Sequence, residues 1–178
     1  MKHFVFFIFA LFLSSCTLVD DYFSPHSPKP DTIFDKGVEA FEMANYQAAL
    51  NYFSEPAEKG NREAQYMIGM IYMYGLTGVK SSYMAQKWLT LAAEGGQRAA
   101  QEQLAFLYRD ELTPLYNPIN AYHWFSVIAE DNPRYTGHLQ NLEWTLRSRG
   151  LLSTAQSMPS PKETLYKGVN YNSLFPMR

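Results

Sequence analysis

Four histidines (His3, His26, His123, His138), one cysteine (Cys16) and three adjacent carboxylate pairs are the side chains with the chemistry to hold a metal or attack a bond. Their spacing argues against both. No His-x3-His and no clustered carboxylates give the convergence that a metal needs, so each histidine is expected to be satisfied or solvated. Asp20-Asp21, Asp110-Glu111 and Glu130-Asp131 are immediate neighbours, and neighbouring side chains on a helix do not face each other. They read as solvated charges. Gly75 and Gly78 belong to a turn, not to a phosphate-binding loop. The expectation is no catalytic residue, no cofactor and no metal.

Cys16 is informative through its context. Behind Lys2 and His3 runs an apolar stretch, Phe4 to Leu13, of ten residues. That is about half of the roughly 20 needed to span a bilayer, and matches the core of a secretory signal. Leu13-Ser14-Ser15-Cys16 follows and resembles the bacterial lipobox. The resemblance implies a signal peptide over 1–15 and lipidation of Cys16, with more than one acyl chain and therefore stable membrane anchoring. Thr17 stands where inner-membrane retention signals usually place Asp, which points to an outer-membrane anchor on the periplasmic face. Pro25, Pro28 and Pro30 exclude a helix, and residues 16–30 are read as an extended tether.

Composition narrows the possible functions. With 47% hydrophobic residues, 13 Tyr and 12 Phe, the chain has material for a packed core. Without residues 1–15 it carries 14 basic and 17 acidic residues, net −3. That balance lacks the basic face of a nucleic-acid binder.

The elements that position everything else are repeats. Ala64, Ile68 and Tyr72 recur 36 residues later as Ala100, Leu104 and Tyr108. Ala85, Trp88, Ala93 and Glu94 recur as Ala121, Trp124, Ala129 and Glu130, and Gly60 and Arg62 as Gly96 and Arg98. Three- and four-residue apolar steps make each half of the unit a helix. The spacing predicts helices near 32–44, 47–59, 62–74, 82–94, 98–109, 118–130 and 133–149, with Pro56 kinking or shortening the second. Ser81 or Ser82, Asn117-Pro118 and Asn132-Pro133 are start signals, and Gly95-Gly96 and Gly150 are stop signals. Trp88 and Trp124 are expected to be buried between the helices of a pair.

Ala64, Ile68-Gly69, Tyr72, Gly75, Gly78-Val79, Ala85, Trp88, Ala93 and Gly96 resemble the Sel1-like repeat, a relative of the tetratricopeptide repeat. The next unit departs in its loop, Asp110 to Tyr116, and the first pair is closer to a generic tetratricopeptide unit. The resemblance, over about 35–150, implies an all-α fold: a short right-handed α-solenoid of Sel1/TPR-like helix-turn-helix repeats within a domain at 31–150. It also implies an interaction scaffold or adaptor without chemistry of its own.

Binding residues are sought on the first helix of each pair. Met67, Met70, Met73 and Met84 either fill the core or form an adaptable surface. Met70 and Phe106 are 36 apart and are expected to form an exposed row. Met67, Met70, Tyr74, Phe106 and Arg109 are therefore the candidate partner-binding face. Residues 151–178, apolar from Leu165 to Phe175, are read as a tail that docks on the body or on a partner. The function expected is a membrane-anchored scaffold for protein partners of the cell envelope. The alternative is an accessory subunit of an envelope enzyme system, such as cell-wall remodelling or secretion, that contributes to substrate binding in trans.

Overall fold

Polar caps set where the helices begin. Thr32 forms a capping box with Asp35, and Asn45, Asn61, Ser81, Gln97 and Asn117 each accept a backbone N–H from the first helical turn. In this computed structural model, which describes residues 32–159, they open helices α1 (Ile33–Glu42), α2 (Tyr46–Glu58), α3 (Arg62–Tyr74), α4 (Ser82–Glu94), α5 (Arg98–Arg109) and α6 (Pro118–Asp131). A 3-10 turn (Pro133–Tyr135) leads into α7 (Thr136–Ser148), and a short α8 (Leu152–Ser157) follows. The protein is all-α: no strand occurs among the described residues. Cys16, the signal segment 1–15, the tether 16–30 and tail residues 160–178 lie outside the described residues.

The predicted helices are present to within two or three residues, with three differences. Pro56 sits inside α2 without stopping it, because only two further helical residues follow. So close to the end, the missing donor costs one bond in the last turn. Asn132-Pro133 opens the 3-10 turn, and α7 proper starts at Thr136. Past Gly150, whose φ of 69° ends α7, the chain makes the additional turn of helix α8 against α7 and α6.

Packing runs along the chain. From α1 to α7 each helix packs most extensively on its sequence neighbours. Ala49, Ala57, Ala64, Ala85, Ala93, Ala100 and Ala121 are buried at these crossings, their small side chains letting backbones approach. One apolar cluster joins α1, α2 and α3 around Phe53, Ile68 and Ile71. The other joins α4 to α7 around Leu89, Leu104, Trp124 and Phe125, with Tyr72 packed against both. Trp124 is buried as expected, 1% exposed. Trp88 is only half-buried and lies against the first cluster. Its Lys87 neighbour places Nζ 5.4 Å from the indole centre.

The 36-residue period is written in hydrogen bonds as well as in side-chain types. Gln65 Nε2 donates to the Ala57 carbonyl at 2.9 Å, and Gln101 Nε2 to the Ala93 carbonyl at 3.2 Å. Ser81 N–H donates to Tyr72 O at 3.0 Å, and Asn117 N–H to Tyr108 O at 2.8 Å. Arg62 reaches Gly95 O at 3.0 Å. Arg98 reaches Ile128 O at 3.1 Å and pairs with Asp131. Arg134, next in the series, instead turns back to Glu102 at 2.9 Å.

Candidate interaction site

The feature with the makings of a binding site is a cleft between successive units, about 220 Å³ in volume. Its apolar surface comes from Met73 at the end of α3 and from Phe106 and Leu107 on α5. Lys80 and Ser82 contribute from the α3–α4 turn and the start of α4, and Asp110 and Thr113 from the end of α5 and the loop after it.

Local sequence explains each wall. Gly75 ends α3 in the left-handed region, φ 65°, which any other residue adopts at a cost. That reversal carries the chain from Tyr74 round to Lys80. Across the cleft, Asp110 Oδ1 accepts from Leu112 N–H at 3.0 Å. Thr113 Oγ1 lies 3.2 Å from Leu107 O and 3.0 Å from Asp110 O, donating to this pair. These bonds fold a loop that lacks the glycines of the α3–α4 turn.

Polarity differs between the walls. Lys80 stands beside the N-terminus of α4 and Asp110 at the C-terminus of α5. Helix ends carry partial charges of those same signs, positive and negative. One lip is thus cationic and the other anionic over an apolar floor. Exposed apolar residues lie at the cleft or next in sequence to its lining. Tyr74 lines the cleft and is 57% exposed; Val79 and Tyr83, beside Lys80 and Ser82, are also exposed, and Leu112 is 95% exposed. Exposed apolar residues gathered in one place mark an interaction surface more than the same residues scattered singly.

Of the five residues expected on the binding face, the structure brings Tyr74 and Phe106 to this cleft. Met67 packs against the first core cluster, and Met70 is half-buried without lining the cleft. The exposed Met70–Phe106 row is not formed, because Phe106 is largely engaged by its own chain. Its ring meets Phe125 edge-on at 5.3 Å and His138 at 5.5 Å, and the Arg109 guanidinium lies 4.8 Å from its centre. Arg109 is likewise turned inward to His138. Lys80, Gln103, Asp110 and Thr113 were not legible as site residues. The repeat period fixes helix faces, whereas Lys80, Asp110 and Thr113 reach the cleft through two turns, to meet Gln103 on α5. Met73 alone carried a signal, as one of the clustered methionines.

The two described histidines are buried to different degrees. His123 is 3% exposed. Its Nε2 has no hydrogen-bond partner among the described residues, so it is neither satisfied nor solvated there. Burial holds its pKa below the usual histidine value. His138 is also lowered, by burial and then by the Arg109 charge. Among the described residues no three His, Cys, Asp or Glu side chains converge as metal ligands, and no helix is long and apolar enough to cross a membrane. No family model, no curated protein and no solved structure matches this chain.

Proposed function

We propose that the protein is a non-catalytic interaction scaffold of the bacterial cell envelope, held in the outer membrane through lipid on Cys16 and carrying a short right-handed α-solenoid of Sel1-like repeats. The observation that carries the reading is the cleft with its apolar floor, lips of opposite charge and exposed aromatic rim. A cavity of 220 Å³ is smaller than the roughly 300–1,000 Å³ of ordinary small-molecule sites. It suits one large apolar side chain of a protein partner better than a cofactor or metabolite. The solenoid reading rests on the recurring bonds of Gln65 and Gln101 and on helices packed between sequence neighbours. Stacked units of this kind bury the faces that a single pair leaves open.

The test is capture of partners from solubilised envelopes by the full chain, compared with Tyr74→Ser. Tyr74 is exposed, so the variant should keep its helical circular dichroism and lose the specific partner. A folded Tyr74→Ser chain with undiminished capture excludes this cleft. In the same preparation Cys16→Ser should leave the membrane fraction, and its retention there without a partner removes the anchor from the proposal.

A further inference from the structure

The cleft has a candidate occupant within its own chain. We propose that tail residues Glu163 to Lys167 bind it in cis, with Leu165 entering the apolar floor, Glu163 facing Lys80 and Lys167 facing Asp110. The inference rests on the reading that this cleft accepts an extended apolar segment. It adds that the segment is supplied intramolecularly, so that a partner must displace it.

Three observations support it. The first is where the described chain ends. Arg149 Nη2 lies 3.6 Å from Glu111 Oε1, and its guanidinium 5.5 Å from the Tyr116 ring centre. The segment after α7 therefore starts beside the loop that contributes Asp110 and Thr113 to the cleft. From there α8, six residues long, adds about 9 Å at 1.5 Å per residue. The four residues from 160 to 163 can span at most roughly another 14 Å. The tail thus starts near the cleft with enough chain to return to it.

The second is pattern. In an extended segment alternate side chains share a face, so a strand-like docking of this segment would present Glu163, Leu165 and Lys167 together. Their order, acidic, apolar, basic, complements a cationic lip, an apolar floor and an anionic lip. The third is size. One leucine side chain fits a volume of 220 Å³. A tethered segment also binds at high effective concentration, so a small site suffices to hold it.

Disulfide trapping tests the arrangement in the full chain carrying Cys16→Ser, so that the only thiols are those introduced. Lys80 is exposed, and Lys80→Cys with Glu163→Cys should close an intramolecular disulfide under mild oxidation. The control is Met43→Cys with Glu163→Cys, since Met43 is exposed and caps the end of α1, a helix that contributes no residue to the cleft. The Lys80 pair should form about tenfold faster than the control, as effective concentration requires. Leu165→Ser should return it to the control rate. Equal rates for the two pairs overturn the proposal. Disulfide-linked dimers overturn the cis arrangement and show that the tail enters a second copy. If trapping fails while Tyr74→Ser still loses its partner, the cleft remains a partner site and only its occupation by the tail is wrong. If trapping succeeds while Tyr74→Ser keeps its partner, the tail docks there and the partner binds elsewhere.

Discussion

Arg109 Nη1 lies 2.5 Å from His138 Nδ1, joining the end of α5 to α7 inside a ring of Phe106, Phe125 and Tyr135. An arginine can only donate, so Nδ1 must accept and the imidazole must be neutral. Protonating it would remove the acceptor and set two cations against each other. Burial, and after it the Arg109 charge, lower the folded pKa of His138, and burial lowers that of His123. A lowered histidine pKa means that the unfolded chain takes up protons first. Stability is complete above the unfolded value of about 6.5 and falls as pH drops below it toward the folded pKa. The melting temperature should therefore decline from pH 7.5 to pH 5, and His138→Gln should flatten part of that decline. A pH profile identical in wild type and His138→Gln would remove His138 as a contributor.

The two tryptophans at equivalent positions should not be energetically equivalent. Trp124 is 1% exposed, whereas Trp88 is half-buried. Trp124→Ala is expected to cost about 3–5 kcal/mol through lost burial and a cavity. Trp88→Ala should cost roughly half as much, about 1.5–2.5 kcal/mol, since part of its surface already meets water. Urea unfolding measures both. Equal losses would show that the packing of α4 against α3 differs from that described.

Two glycines in helices should respond to alanine with opposite signs. A Cβ on Gly69 would sit 2.7 Å from Leu89 Cγ, and Leu89 is fully buried. Overpacking there costs about 1–3 kcal/mol. Gly137, in the first turn of α7, has nothing within 4 Å of its Cβ position. Gly137→Ala should add roughly 0.4–1 kcal/mol by restricting the unfolded chain. Thermal melts of the two variants should move in opposite directions, and a stabilised Gly69→Ala would contradict the close approach of α3 and α4.

Much of this architecture is legible in the sequence because it is periodic and punctuated. The recurrence of Ala64 as Ala100 anticipates two fully buried crossings, and Asn117-Pro118 marks the start of α6 to the residue. Legibility ends where geometry depends on a particular turn. The period placed Phe106 at the position equivalent to Met70, yet could not show that His138 and Phe125 close over its ring. Nor could it bring Lys80 and Asp110 to one cleft, since the second turn keeps Leu76-Thr77 as Leu112-Thr113 but has neither Gly75 nor Gly78. Trp88 and Trp124 hold equivalent positions in the period, but Trp88 faces the smaller cluster.

The bonds of Gln65 and Gln101 have an evolutionary corollary. Each reaches back eight residues to the preceding helix, while Arg62 and Arg98 reach forward by about a unit. Insertion or loss of one whole 36-residue unit leaves every such donor facing an acceptor. A change of any other length inside the helices that carry Gln65 and Gln101 strands their buried amides at about 1–3 kcal/mol apiece. Within its packed helices the chain is therefore expected to tolerate lengthening in whole steps, as a ladder is lengthened by rungs.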